Sequence, residues 1–160
     1  MGKRLYIAYG SNLNRRQMKL RCPGSGVVGT AVIEDYRLLF RGSKTGSYLT
    51  IEPWEGGRVP VAVWAVTEDD EQRLDRYEGT PIFYQKEEME LPVRDIWSGE
   101  ERTLKGFVYI MCGDRPLGTP SNDYFMICAQ GYESFGFDTQ MLLDAYAQSR
   151  QEVALWNALW

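Results

Sequence analysis

Apolar and polar positions alternate along the first two-thirds of the chain and change to helical spacing towards its end. Arg4 to Tyr9 reads as a short apolar strand. Val27 to Phe40 alternates through Val28, Ala31, Ile33, Tyr36 and Leu38, the pattern of a long bent strand or of a hairpin. Tyr48 to Glu52 and Val59 to Thr67 are two more strand patterns, and the turn-forming PWEGG between them predicts a hairpin. Tyr84 to Val93 and Arg102 to Met111 return to strand. Thr67 opens TEDDEQRLDRYEG with an N-cap and acidic residues in the first turn, and Gly79 stands just past its end, so a short helix is predicted there. Another is predicted over Asn14 to Arg21. From Ser121 helical spacing runs through Tyr124, Ile127 and Cys128, and again from Asp138 to Tyr146 and beyond. No repeat, linker or low-complexity tract divides residues 1–160. They read as a single α+β domain, with a small curved or barrel-like, mostly antiparallel sheet of about seven short strands, a few short helices, and a helical tail from about residue 137 to 160.

Composition narrows the chemistry. Apolar residues make up 44% and aromatics 13% of 160 residues, enough to build a core that offsets ordering entropy. Eighteen basic residues against 22 acidic ones, net −4, supply no sequence-independent attraction to nucleic acid or to anionic lipid, so neither is expected as a partner. With no long apolar run and no signal-like start, the chain reads as a cytoplasmic protein without membrane association. Cys22, Cys112 and Cys128 are odd in number and widely spaced, as reduced thiols are. There is no histidine. Ser-His-Asp and Cys-His catalysis within the chain are thereby excluded, as are zinc motifs that need imidazole. No EF-hand-like spacing is present, and no metal or cofactor is expected. Proton transfer must fall to Glu, Asp, Lys, Tyr, Cys or a terminus.

Two stretches stand out. In LYIAYGSNLNRRQ a strand runs into Gly-Ser-Asn. Such a stretch is most often a turn, because Gly and Asn tolerate positive φ and Ser and Asn cap the next segment. The functional alternative is a nest of amides from Gly10 to Leu13 at the start of the Asn14–Arg21 helix, able to hold a carboxylate or an oxyanion, with Ser11 and Asn12 adding side-chain donors. Arg15 and Arg16 read as solvated helix charges, with ligand clamps as the alternative. In LDRYEGTPIFYQ, Glu78 ends the capped helix at the negative pole of its dipole, where proton affinity rises and a general base is well served. The competing reading is a surface glutamate like Glu68 and Glu71. Tyr77, Phe83 and Tyr84 read as aromatics packing the sheet, with a substrate wall as the alternative. At the end of the chain, VALWNALW places Trp156 and Trp160 four residues apart, either packed on the domain's own sheet or forming a self-association patch that would make a homodimer.

Taken together, the strand with YGSNL at Tyr9 to Leu13, the Asp-x-x-Glu-Gly of Asp75 to Gly79, Phe83-Tyr84, and PSNDYFMICAQG at Pro120 to Gly131 resemble the γ-glutamylcyclotransferase family, including its AIG2-like relatives. The resemblance spans about residues 4 to 135 and leaves the tail from Phe137 unmatched. It implies an α+β fold built on a small barrel, and conversion of a γ-glutamyl amine or γ-glutamyl amino acid into 5-oxoproline and the freed amine. By that resemblance Tyr9, Gly10, Ser11, Asn12, Leu13 and Asn14 hold the γ-glutamyl group, Glu78 is the acid/base, and Tyr124 meets the substrate, with Tyr84 in a motif-like position. The substrate's own α-amine would be the nucleophile, so neither histidine nor a reactive cysteine is missed. A domain that keeps the loop but binds a small anion or a partner without turnover is the alternative, and the presence of Glu78 favours the enzyme.

Overall fold

In a computed structural model, the structure describes residues 2–43 and 46–159, apart from the side chains of residues 43, 152, 153, 155–157 and 159. Ten elements succeed one another: β1 (Arg4–Ala8), a 3-10 turn (Ser11–Leu13), α1 (Arg15–Arg21), β2 (Gly26–Ser43), β3 (Gly46–Val66), α2 (Glu68–Glu78), β4 (Tyr84–Asp95), β5 (Glu101–Met111), α3 (Asn122–Ser134) and α4 (Gln140–Leu159). The strands close into a barrel in the order β1-β3-β2-β4-β5. All neighbours are antiparallel except β1 and β5, which meet in parallel at Tyr6 opposite Phe107. Closing a sheet of five strands leaves no open edge, which suits a protein with so few helices to cover one.

Five long strands stand where about seven short ones are predicted. Part of the difference lies in Gly26–Ser43, which is one long strand and not a hairpin, and the rest in PWEGG. Pairing runs continuously on both sides of it, with Glu34 opposite Arg58 and Tyr36 opposite Pro53, so Trp54 to Gly57 are an excursion of one strand rather than the turn of a hairpin. Asp35, at φ 59, accepts a hydrogen bond from the Gly56 amide at 3.0 Å, and Arg37 stacks on Trp54 at 3.7 Å. Turn-forming residues mark a local irregularity, and the long-range partner decides whether the chain reverses there. The reversal between β2 and β3 comes between Ser43 and Gly46. The seam between β2 and β4 is held at two pairs, Gly29 with Asp95 and Thr30 with Arg94. A Cβ on Gly29 would lie 2.0 Å from the Arg94 carbonyl oxygen, so only glycine lets these strands meet.

The core draws on every strand, through Ile7, Ile33, Phe40, Ile51, Val61, Val63, Leu91 and Phe107 among others. α4 packs on β2 with Leu142 and Ala145 buried, and Ser149 Oγ accepts a hydrogen bond from the Phe40 amide at 3.3 Å. The expectation for Trp156 and Trp160 falls on side chains outside the described residues. Among the described residues no helix is long and apolar enough to cross a membrane.

Candidate active site

α2 sets the first element of the site. Thr67 and Asp70 form a reciprocal capping box at its start, and Gly79 at φ 65 and ψ 35 ends it in the left-handed conformation that glycine adopts without Cβ crowding. Only Asp70 and Leu74 are fully buried in this polar helix. Burying Leu74 contributes about 1.5–3 kcal/mol, which chooses the inward face. Glu78 lies four residues further on, on that same face, and is carried to the wall of a cavity of about 320 Å³. The negative pole of the helix is therefore only part of why this glutamate differs from Glu68 and Glu71.

Burial raises the proton affinity of the Glu78 carboxyl to about 7, against an opposing pull from the Arg21 guanidinium. Among the described residues the carboxyl has no hydrogen-bond donor and no cation within 4 Å. The hydroxyls around it are tyrosines: Tyr6, Tyr9, Tyr84, Tyr109 and Tyr124 all line the cavity, and burial pushes each well above the ordinary phenol range. They stay neutral, and the hydroxyls of Tyr9, Tyr84 and Tyr109 donate away from the carboxyl, to the Tyr109 carbonyl, the Leu49 carbonyl and Asp75.

The loop after β1 forms the opposite wall. Its 3-10 turn uses the amides of Leu13 and Asn14, which donate at 3.0 Å to the carbonyls of Gly10 and Ser11. The amides of Gly10, Ser11 and Asn12 come before the first hydrogen bond of the turn and have no protein acceptor among the described residues, as the start of any helical turn leaves its first donors. All three residues line the cavity. A Cβ on Gly10 would stand 3.5 Å from Leu49 and from the Tyr124 hydroxyl, ordinary contact distances, so a larger residue there would occupy cavity space.

Of the residues singled out in the sequence, Tyr9, Gly10, Ser11, Asn12, Glu78, Tyr84 and Tyr124 come together around this cavity. Leu13 and Asn14 do not line it. Leu13 is fully buried in the core, and Asn14 is the N-cap of α1, accepting from the amides of Arg16 and Gln17 while its Nδ2 donates to the Ile127 carbonyl at 3.1 Å. α3 presses on this corner so closely that a Cβ on Gly131 would lie 2.7 Å from the Asn14 nitrogen and from the Leu13 carbonyl carbon. Leu13 and Asn14 thus clamp the loop from beneath. Tyr84 Oη donates to the Leu49 carbonyl at 2.8 Å, and Tyr124 Oη accepts from the Leu49 amide at 3.1 Å, so the two pin one residue of β3 between them. Phe83 and Tyr84 line the cavity, and exposed Tyr77 stands at its mouth, so these aromatics are a wall as well as packing.

Four residues of the site lie outside the expected set: Tyr6, Tyr48, Tyr109 and Arg21. The first three line the cavity. Arg21, the last residue of α1, donates to Ser11 Oγ at 3.4 Å, to Asn12 Oδ1 and to the Tyr77 hydroxyl. Its signal in the sequence is position: it lies three residues after Met18, the one fully buried residue of α1, whereas Arg15 and Arg16 are exposed. Behind Tyr109 a chain of polar contacts runs outward, from its hydroxyl to Asp75 at 2.6 Å, then to Lys86 at 2.8 Å and Glu71 at 2.6 Å. It anchors α2 to β4 and β5.

The closed barrel sets unpaired amide donors and a carboxyl with no cation within 4 Å into one small cavity, an arrangement able to receive negative charge and to exchange a proton. Similarity to known proteins agrees. The protein-family model described as "Gamma-glutamyl cyclotransferase, AIG2-like" matches residues 6–126, and the chain belongs to that family. It is similar to the γ-glutamylcyclotransferases of Bos taurus and Homo sapiens, at 28% and 27% identity, each over 82% of this chain and 71% of the relative. A solved γ-glutamyl cyclotransferase superposes with a TM-score of 0.75 at 26% identity, covering 89% of this chain and 86% of its own. The barrel and helices are thus a γ-glutamylcyclotransferase fold.

Proposed function

We propose that this protein is a γ-glutamylcyclotransferase: it releases 5-oxoproline and a free amine from a γ-glutamyl amine or γ-glutamyl amino acid, with Glu78 as general acid and base. The observation that carries this reading is the Glu78 carboxyl, free of partners and with a proton affinity near 7, in the same cavity as the unpaired amides of Gly10, Ser11 and Asn12. A group that titrates near neutral pH can take a proton and return it at little cost in either direction.

In this mechanism Glu78 takes a proton from the substrate's α-ammonium. The freed nitrogen attacks the γ-carbonyl carbon, a C–N bond closes the five-membered ring, and the carbonyl oxygen takes up negative charge. The loop amides receive negative charge, that of the substrate's α-carboxylate or of this oxygen. Glu78 then protonates the leaving nitrogen and the original amide C–N bond breaks; as a base once more it takes the second proton of the ring nitrogen and passes it to the freed amine, so 5-oxoproline and an ammonium depart with Glu78 again ionised. No water is consumed and no bond to the enzyme forms. The cavity contributes by holding the substrate folded for attack, since ring closure within one molecule gains most from restricted geometry. Its wall of Tyr6, Tyr48, Phe83, Tyr84 and Tyr109 keeps water from competing for the carbonyl.

The test is Glu78→Gln, with 5-oxoproline followed by mass spectrometry across a panel of γ-glutamyl compounds. Turnover is expected to fall at least ~10²-fold, the scale for removing a general acid or base, while ligand binding is largely kept. Near-normal turnover would remove Glu78 from the mechanism.

A further inference from the structure

The guanidinium of Arg21 joins two separate elements of the site. The Arg21 guanidinium contacts three residues on two separate elements: Ser11 and Asn12 of the loop, and Tyr77 of α2, whose ring it also covers with Cζ 3.7 Å from the centroid. Because Asn12 Oδ1 accepts from Arg21, its Nδ2 is turned to donate to the Tyr6 hydroxyl at 2.9 Å, so one contact orients the whole amide. Tyr77 is the residue before Glu78. Arg21 has no carboxylate within 4 Å among the described residues, so no ion pair neutralises its charge.

We propose that Arg21 is the positioning residue of the site, tying the loop of Ser11 and Asn12 to the end of α2 and standing as the counter-charge of Glu78. The inference rests on Glu78 being the acid/base. Besides Arg21, the titratable groups on which the Glu78 charge acts are phenols: Tyr6 and Tyr9 from β1 and its loop, Tyr77 from its own helix, Tyr84 from β4, Tyr109 from β5 and Tyr124 from α3. All stay protonated through the working range, so Arg21 is the charged group that acts on Glu78 against the leading effect, burial. Its attraction favours the carboxylate and offsets part of the effect of burial. A planar guanidinium can reach two elements and stack on a ring at once, which an ammonium cannot.

Arg21→Met and Arg21→Lys separate the two duties. As a base Glu78 must be ionised, so kcat/KM rises with pH along an acid limb centred near 7 in the parent protein. In Arg21→Met the carboxylate loses its counter-charge and the limb moves to higher pH, by about one unit. In Arg21→Lys the charge stays and the limb holds its place, while KM rises in both variants because the loop is no longer tied to Tyr77. Arg21→Gln serves as a second neutral variant if the methionine form does not fold, and thermal unfolding confirms the fold of each. A limb unmoved in the neutral variant, or moved equally in Arg21→Lys, overturns the proposal. The Glu78 carboxyl carbon followed by NMR titration in the same proteins reads the proton directly, without turnover. Identical titration in all of them also overturns it, whereas a shifted titration with no 5-oxoproline from any substrate overturns the proposed reaction and leaves Arg21 its role.

Discussion

A carboxyl largely withdrawn from water without a partner destabilises the fold that holds it, and Glu78 allows that cost to be measured. Replacing it by glutamine keeps the shape and removes the titration. In the unfolded chain the group ionises near 4.5 and in the folded protein near 7. Between these values the folded protein keeps a proton that the unfolded chain has released, so rising pH favours unfolding; below 4.5 the penalty is absent, and above 7 it is complete. At 1.36 kcal/mol per pH unit the span corresponds to about 3 kcal/mol, and water at the open mouth, where Glu78 keeps part of its surface, reduces this to about 2 kcal/mol. The Gln variant should therefore match the parent near pH 4.5 and exceed it at pH 8 by about 2 kcal/mol, or roughly 4–8 °C in Tm for a domain of this size. This is larger than the ~0.3–1 kcal/mol a helix dipole alone would produce, because burial is the leading cause. The assay is urea or thermal unfolding of both proteins at several pH values between 4.5 and 8. A stability difference independent of pH, or a Gln variant less stable than the parent at pH 8, would refute the reasoning.

Two further outcomes are expected from the packing around the site. Gly131→Ala should destabilise by about 1–3 kcal/mol and raise KM, because the added Cβ meets backbone at 2.7 Å on Leu13 and Asn14 and the loop must shift; unchanged melting and KM would show that α3 does not hold the loop in place. Cys22 and Cys128 are fully buried, and burial pushes both thiols up to about 12, so in the native protein a thiol reagent should label partly exposed Cys112 first, as peptide mapping would show. Cys112→Ser should leave 5-oxoproline release intact, and rapid native labelling of Cys22 or Cys128 would contradict the burial argument.

Much of this protein is legible in its chain alone. Local rules place α2 between Thr67 and Gly79, the start of α1 at Asn14, β4 and β5 almost to the residue, and the helical end, because caps, left-handed glycines and alternation act within a few residues of sequence. The absence of histidine confines the chemistry to carboxylates, lysines, tyrosines and thiols, and YGSN with Glu78 marks both walls of the cavity. Tertiary contact decides the rest. PWEGG has the composition of a hairpin, yet β2 pairs with the chain on both sides of it, and no local signal carries that partner. Leu13 and Asn14 sit in the same motif as Gly10 to Asn12 but turn away from the cavity, since Gly131 of α3, more than 110 positions downstream, packs against their backbone. Glu78 resembles its acidic neighbours in sequence; the buried Leu74 one turn earlier turns it inward, and enclosure by tyrosines from distant strands brings its proton into the neutral range. Charges near one another in the chain can be sorted only as exposed or inward-facing. Which of them reaches the end of α2 depends on α1 lying beside it, where Arg21 donates to the Tyr77 hydroxyl.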